Sequence, residues 1–358
     1  MMFEDGMRRG AATERWKMAR SVIGWVLDLV RIFSWDKSFR TNRLIGNYWL
    51  NRAGLHVARV VASHVLFRFR LLLLAPLVDR TLRREFLAQG FVRIDSFLPA
   101  DDFSKLRREA ESFRGEIREE LEGSTVTQRV YLTRDVLDTL PACRAFARNE
   151  RLLRLVRYAS SKNRIPFFHL ENVVHHAIDG AGADPQKDLH SDTFHPCIKA
   201  WLYIDDVDAR NGPLMMVPRS HRLTWRRLAW EYRQSLLASR PETRDGGDRY
   251  WDGSFRASIA DLGELGLGPP QPMPAAANTL LIVNVRAMHC RADGVPGACR
   301  MTVWMQARDN PFIPMFSPFP HLSARIFEAV WRRYMRARTS RQVSSGAWRI
   351  GRDGFLRN

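Results

Sequence analysis

The chain has 358 residues, 45% of them hydrophobic, with 56 Lys and Arg against 38 Asp and Glu. It is long enough to bury a sizeable core and too apolar for a disordered chain. Its cysteines, Cys143, Cys197, Cys290 and Cys299, include no C-x-x-C pair, which excludes a zinc ribbon and suits ordinary thiols in a reducing cytosolic setting.

The charge is uneven. Residues 1–84 carry a balance of +10 and residues 321–358 one of +7, which leaves +1 on residues 85–320. A neutral middle between cationic ends points to an anionic partner for the ends, either a membrane surface or nucleic acid. The first residues lack an apolar h-region followed by a small-residue cleavage site, so no secretory signal is expected.

Residues 14–35 read as an amphipathic helix, with Lys17, Arg20, Asp28 and Arg31 recurring at helical spacing. Residues 55–78 are more apolar, but Arg59, His64, Arg68 and Arg70 interrupt them. Each central Arg costs about 2.5–3.5 kcal/mol on insertion scales, so a helix lying in the membrane interface is expected rather than one that spans. Trp16, Trp25, Trp35 and Trp49, with Trp331 and Trp348 near the other end, suit that interface. The plain alternative is a basic-faced cap on the core. No DNA- or RNA-reading motif accompanies the charge, so no nucleic-acid partner is expected.

From residue 86 the texture changes. Phe91-Val92-Arg93-Ile94 alternates like a strand, and Pro99 opens a charged helix expected to run to about Glu122. Strands are expected at 126–132, 165–178, 198–207 and 213–217, with Asn211-Gly212 as a hairpin turn. Helix is expected over 136–158. Residues 222–277 read as a polar insertion or lid, and 279–285 and 300–307 as strands. Residues 335–358 are Arg- and Ser-rich.

Within this β-rich middle stands His190-Ser191-Asp192. Residues i and i+2 of a strand share a face, so the imidazole and the carboxylate can grip one metal ion. The third ligand has four candidates: His195, His221, His289 and His321. Two His and one carboxylate leave open positions, the facial triad of non-haem Fe(II) oxygenases; zinc uses similar ligands but a zinc hydrolase would also need a nearby general base. Arg300 offers a planar fork for a carboxylate and suits a dicarboxylate cosubstrate such as 2-oxoglutarate.

Three features, taken together over roughly residues 86–310, resemble the phytanoyl-CoA dioxygenase family of Fe(II)/2-oxoglutarate oxygenases. They are His190-Ser191-Asp192, the block Asn211-Gly212-Pro213-Leu214 to Pro218-Arg219-Ser220-His221, and His289 with Arg300 eleven residues on. The resemblance implies a mainly β double-stranded β-helix, or jelly roll, with flanking helices and an N-terminal amphipathic helical extension. It implies iron ligands His190, Asp192 and His289, Arg300 on the distal carboxylate of 2-oxoglutarate, O2 as the other cosubstrate, and Trp201 on a strand lining the same pocket. Asp192, where related halogenases have a small residue, implies hydroxylation. Arg219 departs from the Gly usual in Pro-Gly-Ser-His and puts the turn geometry in question. Asn172 is a candidate for hydrogen bonding to 2-oxoglutarate, and His195, Arg226 and Arg227 for touching substrate. His175 is expected to be a packed or surface histidine.

The expected organisation is a basic amphipathic membrane-associating segment over 1–84, the oxygenase domain over 85–315, and a basic helix and tail over 316–358. The resemblance extends to a bacterial subgroup that hydroxylates 3-deoxy-manno-octulosonic acid (Kdo), the sugar joined to lipid A in lipopolysaccharide. The expected setting is cytoplasmic and peripheral on the inner membrane, with a glycolipid such as Kdo-lipid A as substrate. The alternatives are a hydroxylase of an acyl-CoA or another lipid and a catalytically silent membrane- or nucleic-acid-binding protein. The sequence leaves oligomeric state open, a homo-oligomer included.

Overall fold

Strands that alternate between two sheets build the core. The computed structural model describes residues 22–162, 164–178, 182–240, 253–307, 309–314, 319–338, 348–350 and 354–356. The strands are β1 (Phe91–Ile94), β2 (Arg118–Glu122), β3 (Thr125–Tyr131), β4 (Phe167–Val174), β5 (Ile198–Tyr203), β6 (Leu214–Met216), β7 (Gln271–Pro272), β8 (Leu280–Asn284), β9 (His289–Arg291), β10 (Cys299–Ala307) and β11 (Trp348–Ile350). The large sheet runs β1-β8-β5-β10-β4-β3-β2-β11 and the small one β7-β6-β9, with His190 bridged to His289 at its edge. From β4 onward the chain crosses repeatedly between the two, which is the winding of a double-stranded β-helix.

Period-2 alternation sorts the large sheet's side chains. Leu170, Ala200, Leu202, Ile282, Met301, Val303 and Met305 are buried in the main apolar core with residues of the flanking helices. Arg300, Thr302 and Trp304 occupy the other positions of β10, opposite Val173, Glu171 and His169 on β4. Those positions face the small sheet, because Arg300 reaches the Gly212 carbonyl before β6.

The helices are α1 (22–32), then α2 (Tyr48–Arg52), α3 (Leu55–Leu73), α4 (Arg80–Gln89), α5 (Ala100–Ser112), α6 (Arg134–Thr139), α7 (Pro141–Ala147), α8 (Glu150–Ser160), α9 (Trp225–Ala238), α10 (Ile259–Leu265) and α11 (Pro320–Arg338). α8 shows how local sequence sets an end: the Asn149 side chain accepts from the Leu152 N–H, and Ser161 closes the helix in a left-handed conformation.

One expectation needs correction. The helix opened by Pro99 ends at Ser112, and 118–122 is strand β2. Gly115, at φ 154°, interrupts it. The charges of Arg-Glu-Glu-Leu-Glu that read as a solvated helix face are partly internal: Glu119 accepts from Gln128 at 2.8 Å and Glu122 from Arg291 at 3.1 Å. The stretch expected as an insertion or lid packs against the N-terminal segment where it is described. Trp230 of α9 and Leu262 of α10 are buried with Ile32, Phe39, Ile45 and Phe255 in a second apolar cluster. Residues 241–252 of that stretch lie outside the described residues, as do 1–21, with Trp16, Lys17 and Arg20, and most of the tail beyond 338.

The basic N-terminal segment is built onto the oxygenase. Val60, Phe67 and Leu71 of α3 are buried, and Arg59 of the same helix donates to the Ile32 carbonyl at 2.8 Å. Arg70 donates to the Ile313 carbonyl at 3.0 Å. Two of the arginines that interrupt the apolar run, Arg59 and Arg70, therefore serve as internal braces, and Arg68 is exposed. The opposite face of α3 leaves Val65, Phe69, Leu72 and Leu73 exposed.

Candidate metal centre

His190 and His289 are held side by side by backbone bonds. Each N–H donates to the other's carbonyl at 2.9 Å, so the two imidazoles are cross-strand neighbours with ring centroids 4.6 Å apart. Asp192 is fixed through its N–H, which donates to the Val285 carbonyl at 3.0 Å. His190 Nδ1 bonds the Asp188 carbonyl at 2.7 Å and His289 Nδ1 bonds the Ala287 carbonyl at 2.8 Å. A carbonyl only accepts, so each Nδ1 carries the proton and each Nε2 offers its lone pair. Both Nε2 atoms turn toward Asp192 Oδ1, at 3.4 and 3.7 Å.

The three ligand atoms lie within 4.8 Å of one another. Two imidazoles oriented by their Nδ1–H bonds, with Nε2 facing one carboxylate oxygen, fit a divalent cation such as Fe(II). Burial pushes His289 down to about 3, with the His190 ring beside it adding to the shift, which leaves its imidazole neutral near pH 7. Burial would raise Asp192, but the Lys199 ammonium outweighs it and holds the carboxyl well below the usual range.

Lys199, on β5, bonds Asp192 Oδ2 at 2.7 Å and so divides the carboxylate: Oδ2 is engaged and Oδ1 faces the imidazoles. Lys37, from the N-terminal segment, donates to the Asp192 backbone carbonyl at 2.5 Å.

A buried charge cluster stands behind the ligand strands. Glu231 accepts from Arg227 at 3.0 Å and Arg286 at 3.4 Å and bonds His56 Nε2 at 2.9 Å, with all four side chains under 5% exposed. Arg227 also donates to the Ser220 carbonyl at 2.8 Å and to Ser191 Oγ, between the two first ligands, at 3.3 Å. Arg286 donates to the His221 carbonyl at 2.6 Å. Ser220 Oγ accepts the Met288 N–H at 2.8 Å, one residue before His289. The Pro218-Arg219-Ser220-His221 block thus ties the second ligand strand to α9. Burial would raise Glu231, but Arg227 and His56 bring it down to about 2.

Arg219 takes a φ of 68°. This is the left-handed conformation that glycine adopts without penalty. The turn keeps its shape with Arg in that place.

The other site candidates fall as follows. Arg300 is on the inward face of β10, its guanidinium on the Gly212 carbonyl. Trp201 lies opposite Trp304 and packs on the cluster between the sheets. His195 is buried, with Nδ1 on the Pro196 carbonyl at 3.2 Å. His175 is fully buried, as the packed reading expects, and lies against Gly212 and Gly294. Two candidates are corrected. Asn172 faces the other way from Arg300: it pairs in register with Met301 and donates to Gln128 Oε1 at 3.1 Å and the Leu356 carbonyl at 2.7 Å. Arg227 is 2% exposed and is spent on the buried cluster, so it cannot meet substrate. Arg226 is exposed and points at Gly266, the cap of α10.

Sequence reasoning missed Lys37, Lys199, His56, Glu231 and Arg286. Lys199 alone carried a signal, a lone cation on an otherwise apolar strand.

A model of the family described as phytanoyl-CoA dioxygenase matches residues 86–289, more than half of the chain. No curated protein matches. Among solved structures, the chain is similar to the non-heme alpha ketoglutarate dependent epimerase SnoN from nogalamycin biosynthesis, at 20% identity over 65% of this chain and 82% of that one, TM-score 0.43. It is also similar to HygX from Streptomyces hygroscopicus, solved with nickel and 2-oxoglutarate bound, at 17% identity over 64% and 86%, TM-score 0.38. Family membership comes from the match over 86–289, not from these distant likenesses.

Proposed function

Since the chain belongs to the phytanoyl-CoA dioxygenase family, with a His-Asp-His triad that fits its iron, we propose that this Fe(II)/2-oxoglutarate-dependent oxygenase hydroxylates a membrane-held anionic glycolipid, with the Kdo sugar of lipopolysaccharide as the substrate that fits best. Bound Fe(II) supplies the oxidising centre at which 2-oxoglutarate and O2 become succinate and CO2 while one C–H bond of the substrate becomes C–OH. The Nε2 atoms of His190 and His289 and Oδ1 of Asp192 would hold the metal. Lys199 keeps Asp192 Oδ2 occupied. Arg300, with its fork facing the small sheet, receives the distal carboxylate of 2-oxoglutarate.

The observation that supports the membrane part is the exposed apolar side chains of three helices. Trp25, Val30 and Phe33 at α1, Phe69 and Leu72 on α3, and Phe319, Leu322 and Ile326 at α11 are each at least 46% exposed. The edge of Phe33 meets Phe312, and Arg70 of α3 holds the Pro311 and Ile313 carbonyls, so the ends of α1 and α3 both adjoin residues 311–313. Apolar surface of this extent marks an interaction site, and basic helices with Trp suit an anionic bilayer surface. Among the described residues no helix is long and apolar enough to cross a membrane. A sugar is favoured by the inward wall of the large sheet, where Trp201 and Trp304 are cross-strand neighbours that offer an aromatic face.

Mass spectrometry of lipid A–core from cells with and without the gene tests the substrate. The expected difference is one oxygen atom on the Kdo fragment. An unchanged fragment, with hydroxylated acyl-CoA in its place, overturns the glycolipid reading. Co-sedimentation with anionic vesicles tests the membrane surface, and protein left in the supernatant at low salt contradicts it.

A further inference from the structure

A cavity of about 980 Å³ lies where α6, α7 and α8 meet α11, and none of His190, Asp192, His289 and Arg300 lines it. It is therefore separate from the metal centre. Its volume is at the upper end of what small-molecule sites occupy, about 300–1,000 Å³.

The wall chemistry is split. Leu77, Leu132, Ile165 and Phe168 give it an apolar lining. Six arginines surround that lining: Arg134, Arg144, Arg148, Arg154, Arg157 and Arg325. Three carboxylates share the wall, and two of them are engaged: Asp138 accepts from Arg144 at 3.2 Å, and Glu328 from Arg332 at 2.6 Å. Among the described residues, no carboxylate forms an ion pair with Arg134, Arg148, Arg154, Arg157 or Arg325. The Nε of Arg157 is buried with no hydrogen-bond partner. Like charges gathered at one opening repel one another, and a bound anion would relieve that. Arginine forks match phosphate oxygens in particular.

The apolar part has its own context. α11 walls the cavity with His321, Ala324, Arg325 and Glu328 and leaves Phe319, Leu322, Ile326 and Val330 exposed on another face. The helix that encloses the cavity is thus also part of the exposed apolar surface.

We propose that this cavity binds a phosphate-bearing amphiphile, with an acyl chain over the apolar lining and the phosphate among the arginines. The site is distinct from the one that holds iron, and the inference stands whichever substrate is hydroxylated. The same chemistry is offered by an anionic membrane lipid and by a free acyl phosphate ester, and the test separates them.

The probes are dihexanoyl phosphatidylglycerol and dihexanoyl phosphatidylcholine, each kept below its micellar concentration, together with a short acyl-CoA and inorganic phosphate. Each is titrated calorimetrically into the full chain. Saturable one-to-one binding of the phosphatidylglycerol, at least about ten-fold tighter than of the phosphatidylcholine or of phosphate, is expected if the ligand is an anionic membrane lipid. Tighter binding of the acyl-CoA keeps the site and assigns it to the free ester. The double variant Arg148→Glu with Arg154→Glu and the cavity-filling Ala324→Trp should each weaken binding about ten-fold or more, while His190→Ala binds as the wild type does. Equal affinity for inorganic phosphate, no saturable binding of either amphiphile, or undiminished binding in both cavity variants overturns the proposal. The His190→Ala arm keeps the result independent of any failure of the oxygenase reading.

Discussion

Glu231 is the sharpest place to perturb the metal centre without touching a ligand. It is 1% exposed and, among the described residues, is the only carboxylate paired with both Arg227 and Arg286. Substitution Glu231→Gln keeps the shape and removes the charge. Two buried guanidiniums then share a site with no counter-charge, and breaking a buried pair in this way costs about 3–5 kcal/mol. The shift of Glu231 from 4.5 to about 2 gives an independent figure, on the order of 3 kcal/mol. The sign follows from a depressed carboxyl: its stabilisation is present above the unfolded value near 4.5 and is lost as pH falls toward about 2. Urea unfolding of wild type and variant at pH 7 should differ by about 3 kcal/mol, and the gap should narrow steadily below pH 4.5. The damage should reach the site, because Arg227 holds Ser191 and Arg286 holds the His221 carbonyl. Weaker Fe(II) binding should therefore accompany the lost stability. A variant within about 0.5 kcal/mol of wild type at pH 7, with unchanged metal affinity, would refute the reasoning.

Further outcomes follow from the same geometry. Arg300→Met should raise the KM for 2-oxoglutarate at least about ten-fold in a succinate assay and leave Fe(II) affinity near wild type, since the fork is lost and the triad is not. Arg219→Gly should stabilise the fold by about 1 kcal/mol in the same urea titration, because the turn needs φ 68°. Asn172→Ala should leave the KM for 2-oxoglutarate unchanged and cost about 1–3 kcal/mol, because its amide bonds Gln128 and the Leu356 carbonyl on the helix-facing side.

The sequence shows two of the three ligands because their spacing is local, and the family resemblance supplies the third, His289, from four candidates. His190 and Asp192 are two residues apart, and His289 lies on a strand whose backbone pairs with His190. Most strands were legible from alternation for the same reason. Face was harder to read. Asn172 and Glu171 are adjacent, and only the register of β4 against β10 shows that Glu171 looks inward and Asn172 outward. Long-range partners were invisible: Lys37 and His56 meet Asp192 and Glu231 across separations of 155 and 175 residues. Arg227 read as a surface cation because nothing in its neighbourhood announces Glu231 and Arg286 as its company. The strand β2 was misread because its charges are paired within the fold, where charge runs usually signal solvent. In the basic N-terminal segment two of the arginines that interrupt the apolar run, Arg59 and Arg70, turn inward.

The central claim is that His190, Asp192 and His289 hold one catalytic iron. Its most direct test is anaerobic Fe(II) titration of wild type, His190→Ala and His289→Ala, followed by the conversion of 2-oxoglutarate to succinate on admission of O2. The account predicts one iron per wild-type chain, iron-dependent succinate, and loss of both in each variant. Equal iron binding by the variants, or wild-type protein that binds iron and yields no succinate even with substrate present, would contradict it.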